Sequence, residues 1–438
     1  MCTLDVVPGL SAPAQSALVS RGANGCISRV ILLICLVCSF ALQGCARLIV
    51  SESKAPFWLP AGDSSMTIRT LGPDHRFSQL SSTAVAERLR ALHPGEPLTI
   101  LALSGGGAGS AFGAGAVAGL TLSGSRPEFA VVTGVSGGAL VAPYAFLGPA
   151  WDTRLLDAFA SGAGENFLQS RGLGAVFGSS LYRGTPLKQL IDAHVSDAMI
   201  QAVAREANNG RLLLVATTDV ATGQPVVWDL GSIAQNGGPS ARTLFQDVLL
   251  ASASVPGMFP PVIIRVRQDG APHDEAHIDG AATVPFFVPP AFLQASTDPL
   301  GGTQRTAVYV IIDGPLGEAA RETRLTARAI LSRSIGAGLN HMLLTTLELT
   351  AAIAQLQGAT LQYSAVPVAY PPVDAFSFRT ETMQPLFHYA YDCARAGRLW
   401  TTFQRRTNDD GGTRRSAADA QKMPCPADDA FIGYFASR

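Results

Sequence analysis

The sequence predicts an α/β protein of three layers, a mainly parallel central sheet between two layers of helices, with a helical C-terminal extension. Two successive units of apolar strand, glycine turn and small-residue helix, 98–122 and 129–147, set the pattern, and strands separated by helices favour parallel pairing. These strands lack clean polar alternation, as expected where a sheet is covered on both faces. A composition of 47% hydrophobic and 15% charged residues over 438 positions supplies a large core and excludes fibrous, coiled-coil and disordered classes. The formal net charge of -1 offers no long-range attraction to nucleic acid, so no DNA or RNA partner is expected.

Taken in order, residues 1–44 read as a lipoprotein signal peptide. Arg21 and Arg29 precede an apolar run, 30–42, that ends in Leu42-Gln43-Gly44-Cys45, the succession of positive region, short hydrophobic region and cleavage site. As a helix this run spans about 20 Å, short of the roughly 30 Å hydrocarbon layer, so cleavage is preferred to a permanent span. Leu-x-Gly-Cys resembles the lipobox of bacterial lipoproteins, which makes Cys45 the lipidated first residue of the mature chain. That resemblance implies a protein anchored in the cell envelope and facing the periplasm, with Ala46 in the next position favouring the outer membrane.

Residues 45–95 carry Pro56, Pro60, Pro73 and Pro94 and read as a tether and lead-in with one helix over 84–92. The folded body is expected over 96–315, with later strands at 212–218, 226–228, 262–266 and 307–312 and helices at 151–167, 187–204 and 242–251. Residues 268–277 read as an exposed polar loop. Residues 316–404 form the helical extension packed on the core: a long helical stretch, 318–357, divided at Gly336 and Gly338, and another helix over 384–399. Residues 405–438 read as a polar tail. Of the seven cysteines only Cys393 and Cys425 follow Cys45. They either form one disulfide closing a loop of about thirty residues or remain two thiols, and both readings stand. No cysteine set has zinc spacing, and no metal or cofactor is expected.

The chemistry is concentrated at two strand ends. Gly134-Val135-Ser136-Gly137-Gly138 follows an apolar strand and opens a helix, the context in which G-x-S-x-G projects a serine above the sheet, and Gly134 and Gly138 permit the sharp turn. Upstream, Gly105-Gly106-Gly107-Ala108 also joins a strand to a helix, and amides at a helix start suit an oxyanion or a phosphate. The dinucleotide pattern fails because Ser110 stands where its third glycine or alanine belongs, and a nucleotide P-loop fails because the lysines of the chain are Lys54, Lys188 and Lys422. An oxyanion hole remains. The serine needs a base. None of the seven histidines lies in a catalytic motif, while Asp279 sits between a short apolar approach and Gly280. On chemistry alone Asp279 and a histidine rank level.

These residues, in this order, resemble the patatin-like phospholipase family: Gly105-Gly106-Gly107, then Gly134-x-Ser136-x-Gly138, then Asp279-Gly280. The likeness extends through Ser180 to Leu187, Thr217-Thr218-Asp219 and Ala251 to Pro261, covering about 96–315. It implies a serine esterase that cleaves lipid esters, with Ser136 as nucleophile, Asp279 as general base and the amides of Gly105, Gly106, Gly107 and Ala108 as oxyanion hole. Two positions depart from the pattern. Gly109 stands where many members carry Arg or Lys, and Ala281 where a second glycine is usual. Phe259, Phe286, Phe287 and the apolar run to Pro290 suggest an acyl channel, so the expected substrates are medium or long acyl esters, glycerophospholipids first, with little head-group discrimination. The alternatives are a triad of Ser136, Asp279 or Asp313, and His341 or His388, and a non-catalytic lipid-binding envelope lipoprotein.

Overall fold

Alternate side chains of the central strands enter two different cores. Along Leu98–Leu103, Leu101 and Leu103 join one apolar cluster while Ile100 and Ala102 join the other, the period of two of a strand covered on both faces. The computed structural model describes residues 66–72, 76–92, 94–162, 165, 168–172, 179–268, 271–294, 296–297, 303–317, 325–403 and 423–428, all within one unit, residues 51–438. The signal-like segment 1–44, Cys45 and most of the tail 405–438 lie outside the described residues.

In chain order the elements are β1 (Thr67–Leu71), β2 (Phe77–Ser81), α1 (Ser82–Leu92), β3 (Leu98–Leu103), α2 (Ser110–Leu122), β4 (Val131–Val135), α3 (Gly137–Leu147), α4 (Asp152–Ala160), α5 (Gly184–His194) and α6 (Asp197–Asn208). They continue with β5 (Leu212–Asp219), β6 (Pro225–Asp229), α7 (Leu230–Asn236), α8 (Gly238–Ser252), β7 (Val262–Gln268), β8 (Ala271–Asp279), α9 (Pro290–Leu293), β9 (Thr306–Ile312), α10 (Ala327–Leu356), β10 (Thr360–Ala365), α11 (Thr380–Arg395) and β11 (Thr401–Thr402). The sheet runs β11-β10-β9-β3-β4-β5-β6-β1-β2, with β8 also on β5 and β7 on β8. Its centre, β10 through β5, is parallel, and antiparallel pairs occupy the flanks. The three-layer α/β expectation therefore holds. No helix among the described residues is long and apolar enough to cross a membrane.

Several local expectations are corrected. The folded body starts before residue 96: β1 pairs with β6 and β2 with β1, so 67–92 is a hairpin and helix of the sheet rather than a lead-in. The single helix expected over 187–204 is two, because Ser196 caps α6 by accepting the Met199 amide at 3.3 Å, and serine at that position starts a new helix. Residues 268–277 are not a loop. β8 forms a hairpin with β7, and its Glu275 and His277 are buried; the reading failed because the inward face of this strand is polar.

The extension past 316 is not purely helical. It adds β10 and β11 to the sheet edge, and α10 runs unbroken through Gly336 and Gly338. Those glycines cost about 1 kcal/mol each in a helix interior, too little to break a rod whose Leu343, Leu347, Ala351 and Ala354 are buried in a core. On the opposite face α11 covers α2. The Cys393–Cys425 pair is a disulfide that holds residues 423–428 against the end of α11, where the Thr401 hydroxyl also donates to the Pro426 carbonyl at 2.9 Å.

Candidate active site

Strand register brings two distant residues together. β4 pairs with β5 as far as Val135 opposite Ala216. There the chain turns away at Ser136, and the next position of β5, Thr217, is taken by Asp279 at the end of β8. The space vacated by one strand is thus filled by the other, and the Ser136 hydroxyl donates to Asp279 Oδ2 at 2.6 Å.

The turn is strained. Ser136 has φ 54° and ψ −127°, the one non-glycine positive φ among the described residues, a conformation that persists only where its surroundings enforce it. The enforcing contacts are visible. The Ser136 amide donates to Ser252 Oγ at 3.0 Å, and Ser252 Oγ donates to the Ala216 carbonyl at 2.7 Å. A Cβ on Gly134 would lie 2.7 Å from Ala139 Cα, and one on Gly138 2.4 Å from the Ser104 carbonyl oxygen, so both flanking positions must be glycine for the helix to sit this close to its strand.

Asp279 is 2% exposed. Its Oδ1 accepts the Ala281 amide at 2.8 Å, its own amide donates to the Ser254 carbonyl at 2.9 Å, and its carbonyl accepts from the Thr218 hydroxyl at 3.0 Å. Burial disfavours the charged form and pushes the carboxyl up to about 7, against the opposing pull of the bonds from Ser136 and Ala281. A carboxylate at that value is poised to take and return a proton near neutrality.

The glycine loop faces the same point. Ideal Cβ placement puts Gly105 3.1 Å from Ser136 Cβ. Of the four amides expected to hold an oxyanion, two are already engaged: Gly105 donates to the Pro285 carbonyl at 3.0 Å and Ala108 to the Ala375 carbonyl at 2.8 Å. Gly106 and Gly107 remain, joined by the amide of Gly137, which as the first residue of α3 has no intrahelical carbonyl to bond. Gly107 has φ +55°, and a Cβ there would lie 2.1 Å from the Ala375 carbonyl oxygen. The loop is therefore braced by residue 375, far outside the motifs that announce the site.

Ser136, Gly107 and Gly137 open into an apolar cavity whose empty volume is about 930 Å³ including its mouth. Leu140, Pro143 and Tyr144 of α3 line it, the spacing of one helix face, together with Leu187, Leu190 and Ile191 of α5 and with Phe376 and Phe378, which follow residue 375 in the chain. From Ser136 to Tyr144 the wall is about 12 Å long at 1.5 Å per helical residue. Phe259 lines this cavity, whereas Phe286 and Phe287 are buried in the core on the other face of the sheet. Only the first of those three aromatics is where the sequence suggested.

The histidine triad finds no support in the geometry. His341 and His388 are exposed on α10 and α11, and Asp313 is buried beneath the glycine loop, where its Oδ1 accepts the Gly113 amide at 2.9 Å and burial raises its carboxyl well above the usual range. Among the described residues no histidine is bonded to Ser136 or Asp279. No group of three His, Cys, Asp or Glu fit to hold a metal ion occurs among them either.

A second polar cluster escaped the sequence reading. Arg69 of β1 pairs with Glu275 at 2.6 Å, His277 Nε2 lies 3.0 Å from the same carboxylate, and His277 Nδ1 lies 3.0 Å from Thr217 Oγ1. The Trp228 indole donates to Thr217 Oγ1 at 2.8 Å and lies under the Arg69 guanidinium. Burial would raise the Glu275 carboxyl, but the bonds from His277 and Arg69 overcome it and hold it at about 2. Residues 275, 277 and 279 share one face of β8, so this buried line of hydrogen-bonded polar groups braces the strand that carries Asp279. The Asp269-Gly270 pair, a hairpin signal, was the one available hint of β8.

Residues 101–291 match the family model described as Patatin-like phospholipase, a family of lipid-hydrolysing enzymes. No curated protein matches the chain. A crystal structure of VipD from Legionella pneumophila is similar over 78% of this chain and 71% of that one, at 10% identity and a TM-score of 0.29, a likeness too loose to carry an argument.

Proposed function

With residues 101–291 a patatin-like phospholipase segment, we propose that the protein is a serine acyl hydrolase that cleaves lipid carboxylic esters, of the phospholipase A or lysophospholipase kind, through a Ser136–Asp279 dyad and an acyl-enzyme. The observation that carries this reading is the 2.6 Å contact between Ser136 Oγ and Asp279 Oδ2 at the head of an apolar cavity.

Asp279 accepts the Ser136 proton as Oγ attacks the ester carbonyl carbon. The amides of Gly106, Gly107 and Gly137 hold the oxyanion, and preorganised donors of this sort contribute more than any other single effect in acyl transfer. Collapse of the tetrahedral species passes the proton to the departing alkoxide, which leaves as an alcohol such as a lysophospholipid, with the acyl group on Ser136. Water then attacks the acyl ester, Asp279 takes its proton, and the fatty acid departs as Ser136 Oγ is reprotonated. The acyl tail lies along Leu140, Pro143 and Tyr144. Gly109, in place of a basic residue, puts no charge on the loop, which supports weak head-group discrimination.

The test is to incubate the purified protein and its Ser136→Ala variant with a mixed bacterial lipid extract and follow fatty acid and lysophospholipid by mass. Serine-dependent release of both is expected. Release from neutral esters alone makes the protein a general esterase, and no serine-dependent product favours a non-catalytic lipid binder. For location we propose a lipoprotein anchored through Cys45 at the periplasmic side of the envelope, probed by fractionating a Cys45→Ser variant. The Cys393–Cys425 disulfide supports an oxidising compartment.

A further inference from the structure

Helix α10 is longer than the strands it covers. Its thirty residues make a rod of about 45 Å, whereas β9 and β10, of seven and six residues, run about 20 Å. Its second half is buried through Leu343, Leu347, Ala351 and Ala354, while none of the described side chains from Ala327 to Met342 is buried. Asn340 Nδ2 donates to the Pro315 carbonyl at 3.1 Å, which sets that turn of the helix level with the chain just past the end of β9. The preceding residues, from Ala327, therefore extend about 20 Å beyond that level. β9 is parallel to β3, and β3 to β4, so this is the edge that carries the glycine loop and Ser136.

The projecting half is apolar and positive. Ile330, Leu331, Ile335 and Leu339 are 43% to 62% exposed, and Leu325 just before the helix is exposed as well. Leu331, Ile335 and Leu339 follow at intervals of four, which places them on one face. From Thr323 to Leu347 the sequence contains Arg324, Arg328 and Arg333 and no carboxylate. Single exposed leucines are ordinary; a row of them on a half-helix, 327–342, whose only charged side chains in sequence are Arg328 and Arg333 is the composition of an interfacial helix. One further observation points the same way. β1 is parallel to β6, and β6 antiparallel to β5, so Thr67, where the chain arriving from Cys45 joins the sheet, lies on this same edge.

We propose that the segment from Leu325 to Leu339 docks on the surface of an anionic lipid bilayer and turns the Ser136 edge of the sheet toward it. The inference rests on the lipid-hydrolase reading for its purpose, but its evidence is the geometry and charge of α10. The charge selects the occupant: anionic head groups complement the two arginines of the segment, Arg328 and Arg333, whereas a second copy of the chain would bring like charges together.

The test compares the full chain with its Leu331→Asp/Ile335→Asp variant, each also in a Ser136→Ala background for binding. Flotation uses vesicles of phosphatidylcholine alone and of phosphatidylcholine with about 30% phosphatidylglycerol; an acyl anchor does not distinguish the two, so a preference reports the helix. The expected result is a preference of roughly tenfold or more for the anionic vesicles, lost in the double variant and at high salt. Hydrolysis of vesicle phosphatidylglycerol should fall by a similar factor while hydrolysis of a short-chain soluble ester is unchanged, which also shows that the variant is folded. Equal binding to both vesicles, or a preference that survives in the variant, overturns the proposal. So does a lipid-free dimer abolished by the substitutions, which would give the stripe to a second copy. Anionic binding as expected, with no serine-dependent hydrolysis of either substrate, upholds the docking surface and refutes the hydrolase reading instead.

Discussion

Replacing Asp279 by Asn should abolish hydrolysis and at the same time stabilise the protein. The carboxyl is displaced from 3.8 to about 7 because burial penalises its charge, a difference of about three units and so about 4 kcal/mol at 1.36 kcal/mol per unit. The sign follows from proton binding. Between those two values the folded state holds a proton that the unfolded state has lost, so stability falls as pH rises through this window and the full cost is present above about pH 7. Asn removes the ionisation, can still accept the Ala281 amide and can donate to Ser136 Oγ, so most of the cost is relieved and about 4 kcal/mol is the ceiling. Thermal unfolding read from pH 4 to 8 should show the variant melting several degrees above wild type at pH 8, with the gap closing toward pH 4. Activity of the wild-type enzyme should rise with pH through about 7 and level off, being about tenfold below its plateau one unit under that value. A variant that keeps substantial activity refutes the base assignment, and one whose melting temperature falls by the same amount at every pH refutes the desolvation argument.

Arg69→Ala leaves Glu275 buried with its guanidinium partner gone, and denaturant titration should show a loss of about 3–5 kcal/mol although the residue lies far from Ser136 in sequence. Gly107→Ala forces a Cβ against the Ala375 carbonyl at a positive φ, displacing an oxyanion donor; steady-state kinetics should show a fall of roughly a hundredfold or more in kcat in a protein whose circular dichroism is unchanged. Cys425→Ser opens a cross-link between residues 32 apart, and unfolding by urea should register a loss of about 3–4 kcal/mol, matched by wild type under reductant.

The alternation of strands and helices in the parallel core and the serine elbow are legible in the sequence, because each is announced by neighbours in the chain: an apolar run, then glycines, then small helical residues. The resemblance that paired Ser136 with Asp279 likewise rests on short ordered motifs. What escaped was whatever depends on contacts between remote segments. β1 and β2 looked like a tether because an edge hairpin carries few apolar residues of its own and is recognisable as sheet only through its pairing with β6. β8 looked like a loop because its inward residues, Glu275, His277 and Asp279, are polar, and nothing local says that Arg69, 206 residues away, neutralises one of them.

The same division runs through the site itself. Four loop amides were equivalent on paper, and only the approach of the Pro285 and Ala375 carbonyls shows that two are already engaged. The sequence by itself determined which side chains are available, a hydroxyl on a sharp turn and a carboxylate before a glycine, since covalent order and backbone sterics act locally. Tertiary structure alone decided that the carboxyl is buried enough to titrate near neutrality, that the cavity is walled by α3, α5 and residues 376 and 378, and that α10 projects past the edge that carries Ser136, because burial, dielectric and exposure belong to the packed chain and not to any stretch of it.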